Sequence, residues 1–383
     1  MDFHLDSLLH LPFVTVLTCQ QQEGFILLTL DFINEGISCP HCQTYTDNLH
    51  QIRPILVRDL SILGQGVYLK VPRRQFICSQ CGKYPTEILN FIDRRRNYTK
   101  RYEEHIYEKV KELTVEQVSK NEQLSPEQVQ NIFQRIAKQK KKDWGKPERL
   151  GLDEFSRQKG QGNLVTVLSN LDEGSLLEVI DSHKSEEIIE VLKQAPISIR
   201  ENIKEVCVDM WGGFKKVITE VFPNALVVID RFHVMKLVHK ALNHLRLKLK
   251  LKGLKNRYLL LKNKVNLTEE EKKDLGELLR GYPCLSIAYE LKEELRNIYE
   301  NTRTVKEGLK KLKKWLRLAR VFFGKTAETL ELHLQNICNY FLNRTSNGVM
   351  EGLNNKIKLI LRQSYGFSNF KFMREKLLAC LFK

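Results

Sequence analysis

Apolar residues change their spacing several times along the chain, and each spacing predicts a different kind of element. Residues 53–60 and 67–71 read as two strands joined through Gly64 and Gly66. After Asn97 the period becomes helical, with Tyr102, Ile106, Val110 and Leu113 at intervals of three and four. A short helix follows over 114–121. A third opens at Ser125, which supplies an N-cap, with Pro126 in the first helical position and Gln128 in the capping-box place. On that helix Val129, Ile132, Phe133 and Ile136 form the inward stripe. Three short helices separated by tight turns predict a helix-turn-helix.

Strand patterns return at 149–155, 164–168 and 176–180, the last two joined through the turn signal Asp172-Glu-Gly174 as an antiparallel pair. A capped helix is expected over 185–192. Two nearly continuous apolar runs, 203–209 and 225–230, each end in Asp and flank an amphipathic helix over 213–222. Uninterrupted apolar strands are those buried on both faces of a parallel sheet. The order is strand, strand, strand, helix, strand, helix, strand, which predicts an α/β fold with an RNase-H-like mixed sheet. Residues 232–340 read as almost wholly helical, an insertion into that fold. The last helix carries Val349, Leu353, Ile357 and Leu361 on one side and Glu351, Asn354, Asn355, Lys358 and Arg362 on another.

Charge narrows the partner. The chain of 383 residues carries 62 Lys and Arg against 46 Asp and Glu, a formal charge of +16. It contains no apolar run near the roughly 20 residues that a membrane span needs, so a polyanion in solution is the expected partner, nucleic acid first. Ten basic residues and no acid lie between Lys236 and Lys264, the composition of a phosphate-facing stripe or of an unusually basic solvated face. The amino terminus has acids where a secretory signal would have Lys or Arg, so an intracellular chain is expected. Of nine cysteines, five are scattered singly, which suits a reducing compartment.

The other four cysteines form two knuckles, Cys39-Pro-His-Cys42 and Cys78-Ser-Gln-Cys81. Two such pairs are what one tetrahedral Zn²⁺ needs, and with the hairpin between them they predict a zinc ribbon; four buried cysteines without metal are the bland alternative. His41 inside the first knuckle is expected to be exposed. On the third helix of the helix-turn-helix, Gln128, Asn131, Gln134 and Arg135 fall outside the apolar stripe and are residue types able to read base edges. Lys140, Lys141 and Lys142 form a basic run suited to phosphates. The competing reading is a solvated face of a small bundle. In open sheets chemistry gathers at the carboxyl ends of parallel strands, where Asp209 and Asp230 lie.

The motifs Gly-Leu-Asp153-Glu-Phe, Val-Asp209-Met-Trp, Asp230-Arg-Phe-His233 and Ser346-Asn-Gly-Val-Met-Glu351-Gly-Leu-Asn-Asn stand in an order that resembles the DDE transposases of bacterial insertion sequences, specifically the ISL-three family. The resemblance runs from the paired cysteines to the terminal segment Ser364-Tyr-Gly-Phe-Ser-Asn-Phe370. It implies that Asp153, Asp209 and Glu351 are a catalytic triad, with Asp230 and His233 a supporting pair beside it. His233 then positions the scissile phosphate or a flipped base, or is simply structural. Two departures from the family pattern are Gln161, where many members have His, and Gln43, where Gly often follows the knuckle.

Phosphodiester chemistry fits those acids. Two Mg²⁺ ions, for which Mn²⁺ can substitute, both activate an oxygen nucleophile and neutralise charge on phosphorus, and hard carboxylate oxygens hold them. The implied activity is binding of terminal inverted repeats, strand cleavage and joining to target DNA by a homo-oligomer assembled on double-stranded DNA, in a prokaryotic cytoplasm at the nucleoid. Rival readings are a catalytically silent, transposase-derived DNA-binding regulator and an RNase-H-like nuclease specific for branched DNA. The expected domains are the zinc ribbon region (1–97), the helix-turn-helix (98–145), the first part of the catalytic core (146–234), the helical insertion (235–343) and the core's last helix (344–383).

Overall fold

The computed structural model describes residues 3–140, 142–156, 164–367 and 369–382. The chain divides into two compact units, residues 1–141 with 363–367, and residues 142–362 with 368–383. Among the described residues no helix is long and apolar enough to cross a membrane.

The first unit begins with strands β1 (Val14–Gln22), β2 (Phe25–Phe32), β3 (Ile37–Ser38), β4 (Tyr45–Thr46), β5 (Leu49–Ile62) and β6 (Gln65–Phe76). The expected hairpin is β5 and β6, longer at both ends than its apolar runs. Its two-residue loop, Leu63-Gly64, has positive φ at both positions (48° and 76°), the geometry that matches the twist of paired strands. The hairpin β1–β2, not anticipated, extends the same sheet in the order β1-β2-β6-β5, and Val16, Leu28, Leu30, Val57, Leu69 and Val71 close its core. Three helices follow, Lys100–Glu112, Val115–Glu122 and Pro126–Gln139. Thr114 and Ser125 each form a full capping box, with Gln117 and Gln128 reaching back to the cap. Val129, Ile132, Phe133 and Ile136 are buried as the period predicts.

In the second unit, β7 (Arg149–Ser156), β8 (Leu164–Asn170), β9 (Ser175–Ile180), β10 (Glu205–Val208) and β11 (Leu226–Ile229) form one sheet in the order β11-β10-β7-β8-β9. β10 is parallel to both β7 and β11, while β8 is antiparallel to β7 and β9. This is the expected RNase-H-like mixed sheet, with β7 at its centre. Helices from Arg231 to Asn343 make the insertion, and the alternation at 245–252, which by period alone could be a strand, ends the helix Arg231–Lys248 instead.

How the chain returns from the insertion decides where Glu351 lands. Asn339 donates its Nδ2 to the Val227 carbonyl of β11 (2.8 Å), Asn343 donates to buried Glu205 of β10 (2.6 Å), and the Thr345 hydroxyl bonds the other Glu205 oxygen. Two residues on, the Asn347 N–H donates to Asp230 Oδ1 (3.1 Å). Successive side chains thus pin the returning segment to two adjacent strands before the helix Gly348–Gln363 begins. Gly151 of β7 completes the seat. A Cβ there would lie 2.8 Å from Asn347 Oδ1 and 2.9 Å from Met350 Cγ, so only glycine lets the helix start press onto the sheet.

Candidate functional site

Asp153 leaves the centre of β7 beside the end of β10, where Asp209 follows Val208, and the Asp153 carboxylate meets Asn354 of the helix Gly348–Gln363. A cavity of about 320 Å³ is lined by Asp153, Glu154, Asp230, His233, Glu351 and Asn354 among others. It therefore gathers residues from β7, from the end of β11 and from the last part of the chain. Asp209 is not among its lining residues, and its Oδ1 accepts from the Trp211 N–H at 2.8 Å. Its charge nevertheless reaches the cavity. Burial raises Asp153 above the usual carboxylate range and the Asp209 charge adds to that, against the hydrogen bonds from Asn354 and the Glu154 N–H and the charge of His233. Glu154 is raised by burial and then by Asp209, and Asp230 by burial with Glu351 contributing.

Such a cluster suits a cation. Asp230 is buried, Asp153, Glu154 and Asp209 are half-buried and Glu351 is exposed; the less a carboxylate reaches water, the more its ionisation costs without a compensating positive charge. His233 and the lysines Lys236 and Lys358 at the rim supply part of it. The oxygens of Asp153, Asp209 and Glu351 are not drawn into one tight group; among the described residues only the four knuckle cysteines bring their ligand atoms within 4.8 Å of one another. Asn354 takes a position that sequence reasoning left without a role. Its Nδ2 donates to Asp153 Oδ2 at 2.8 Å while its Oδ1 is buried without a partner. The signal was present, since Asn354 lies one helical turn after Glu351 on the same face. Asn347, whose buried side-chain amide also lacks partners, carried no such signal.

The zinc ligands come together as expected. Cys39 and Cys81 sulfurs are 3.7 Å apart and those of Cys42 and Cys78 3.4 Å. A tetrahedron with Zn–S bonds of about 2.3 Å has edges of about 3.8 Å. Both knuckles use the same backbone device. Gln43 and Gly82 have φ near +60° (60° and 66°), and their N–H groups donate to the Cys39 and Cys78 carbonyls at 2.8 Å. Gln43 thus adopts a conformation natural to the glycine it replaces. Hydrogen bonds from the side chain and backbone of Thr44 lower Cys42 to about 6, while, against the hydrogen bond from the Lys83 backbone, burial and the neighbouring thiols raise Cys81 to about 11, so without a metal the four thiols do not ionise alike. His41 is exposed.

The helix-turn-helix distributes its expected DNA contacts differently from the helical wheel. Arg135 turns into the fold: its guanidinium bonds Asp93 (2.6 Å) and pairs with fully buried Glu103. Against the upward push of burial, Arg135 and Lys100 hold Asp93 below the usual range. Gln128 is engaged by the capping box and by the Tyr98 hydroxyl (3.1 Å). Lys140 pairs with Glu104 (2.5 Å) and lies over the Tyr107 ring (4.2 Å). Lys142 is half-buried, and burial with the Arg374 charge lowers its pKa, a poor setting for a phosphate contact. Lys141 and Gln161 lie outside the described residues. The Asn131 and Gln134 side chains make no hydrogen bond among the described residues and stay available, as do those of exposed Gln130 and Lys138 on the same helix. The basic stretch between 236 and 264 is partly matched by acids from elsewhere, as in Lys255–Asp274 (2.7 Å) and Lys262–Glu271 (2.8 Å).

Comparison with known proteins matches each region. Residues 150–377 match a family model described as a transposase, residues 35–81 the zinc-finger of transposase IS204/IS1001/IS1096/IS1165, and residues 87–137 the helix-turn-helix domain of transposase family ISL3. The chain is 26% identical over 360 residues to the transposase for insertion sequence element IS1001 of Bordetella parapertussis, covering 89% of this chain and 88% of that one. It is also 26% identical over 254 residues to the transposase for insertion sequence element IS1557 of Mycobacterium tuberculosis, covering 57% and 56%.

Proposed function

The chain belongs to the ISL3 family of DDE transposases, enzymes acting on DNA, and from that premise we propose that Asp153, Asp209 and Glu351 hold two Mg²⁺ ions for cleavage and strand transfer at the terminal inverted repeats of its own element. The observation that carries this reading is the seating of the helix Gly348–Gln363 on Gly151, which brings Glu351 to a cavity shared with Asp153. Bound there, the ions would activate the attacking oxygen and neutralise charge building on phosphorus.

The chain's own residues do the rest. Asp153, on the central strand, would with Asp209 and Glu351 hold the ions through carboxylate oxygens, the hard ligands that Mg²⁺ prefers. Asn354 orients Asp153 through its 2.8 Å hydrogen bond. Asp230 anchors the Asn347 N–H and so fixes the start of the Glu351 helix, which makes it a positioning residue, and His233 offers a donor at the cavity wall. Asn131 and Gln134 face bases, and the enzyme works as a homo-oligomer on DNA ends in a prokaryotic cytoplasm.

The test uses duplexes cut from the DNA that brackets the coding region. Wild-type protein should nick them at the element boundary with Mg²⁺ or Mn²⁺ but not with Ca²⁺, whose larger, looser coordination does not suit phosphoryl transfer. Replacement of Asp153, Asp209 or Glu351 by Ala should abolish nicking while end binding persists. Undiminished nicking by Glu351→Ala would move the assignment to Glu154 or Asp230.

A further inference from the structure

Arg73, Arg94 and Arg95 of the first unit line one groove and Arg53 stands beside it; among the described residues none of these four pairs with an acid, whereas Arg96, also in the lining, is held by Glu103 (2.6 Å). Arg94 and Arg95 form an exposed turn closed by the Arg96 N–H on the Asp93 carbonyl (3.1 Å). With Arg73 of β6 and with Tyr84 and Ile88 they line a groove of about 480 Å³. Arg53 stands directly opposite Arg73 in the β5–β6 register, a like-charge pair that weakens a sheet unless an anion lies between the two. The groove's two carboxylates are already committed, Glu87 to Arg74 (2.7 Å) and Asp93 to Arg135 (2.6 Å) and Lys100 (3.5 Å). Positive charge is therefore left over, concentrated and open to solvent.

The backbone supplies an independent observation. Arg95 has φ of +60°, a left-handed conformation that glycine would adopt without strain. Strain retained at a charged residue, where a neutral one would fold better, points to use of the side chain. The turn is also placed with care. Arg135 clamps Asp93, the residue before the turn, and Gln128 bonds Tyr98 (3.1 Å), just after it, so both ends are tied to the helix Pro126–Gln139. The arginine whose sequence position suggests base reading instead holds two other arginines beside the reading helix.

We infer that this groove grips the phosphodiester backbone of duplex DNA next to the bases faced by the helix Pro126–Gln139, with Arg53, Arg73, Arg94 and Arg95 as the phosphate ligands. The inference rests on the transposase reading given above. Guanidinium forks match phosphate oxygens two at a time, and each phosphate neutralised releases condensed counterions, so affinity gained this way falls with salt.

The full-length chain would be titrated over a range of salt concentrations with a fluorescent duplex from the DNA bracketing the coding region and with a shuffled duplex of equal length. Arg94→Ala and Arg95→Gly should each flatten the dependence of log affinity on log salt by about 0.9, and the double variant by about twice that, equally on both duplexes. The Arg95→Gly protein should melt no lower than wild type, because glycine relieves the backbone. A double variant with the wild-type salt slope overturns the groove, and so does a loss confined to the bracketing duplex, which would mean base reading. Wild-type protein with no preference between the two duplexes would overturn the end-binding function itself, while the slopes would still decide the groove.

Discussion

Asp153 is a half-buried carboxylate with two donors, the Glu154 N–H (2.9 Å) and Asn354 Nδ2 (2.8 Å), and loss of water around it still holds it above the ordinary aspartate value of 3.8. When the folded value of an acid is raised, the unfolded chain gives up its proton first. Stability then falls as pH rises from the ordinary value through the raised one, and stays reduced above it. Asp153→Asn removes the charge without changing the shape, and Asn354 can rotate its amide to accept from it because its own Oδ1 has no partner. Metal-free Asp153→Asn protein should therefore melt above wild type at neutral pH, with the gap closing as pH falls toward 3.8. Added Mn²⁺ should raise only the wild type. Thermal melts across pH check this, and equal midpoints at neutral pH would contradict it.

At the scale of elements, the contact between β7 and the helix Gly348–Gln363 depends on a single missing side chain. Gly151→Ala would place a methyl group 2.8 Å from Asn347 Oδ1 and 2.9 Å from Met350 Cγ. Overpacking of this kind destabilises by about 1–3 kcal/mol. The expected outcome is faster amide exchange over the first turns of that helix and loss of nicking with Asp153 and Asp209 intact; unchanged exchange there would show that the seat is loose. Much of this level was legible beforehand. The capped helix at Ser125, the two apolar strands ending in Asp and the C-x₂-C pairs carry strong local signals, and each formed as read. What escaped depends on partners distant in sequence. β1 buries its first three residues and exposes the rest, so it shows no alternation to read. Arg135 lies off the apolar stripe as its spacing says, but whether that face meets water or Asp93 and Glu103 is decided by a neighbouring helix. The bond from Asn354 to Asp153 joins residues separated by the whole insertion.

The whole molecule combines DNA-binding modules and a zinc ribbon in its first unit with a transposase sheet in its second. Structural zinc contributes on the order of 10 kcal/mol to the folding of a small domain. Cys78→Ser should therefore unfold the ribbon and weaken DNA binding while the second unit keeps its own melting transition; limited proteolysis followed by mass spectrometry would locate the cuts, and cuts spread into the sheet β7–β11 would contradict this independence. The formal charge of +16 fits a chain that meets polyanions along much of its length. In the proposed active site, acids from β7, from the end of β10 and from the final part of the chain hold one pair of ions. Anomalous scattering from crystals of the wild-type protein soaked in Mn²⁺ tests it most directly. Two peaks about 3.5–4 Å apart, ligated by Asp153, Asp209 and Glu351, are the predicted result. Peaks held by Glu154 and Asp230 with Glu351 unengaged, or no peak at Asp153, would contradict it.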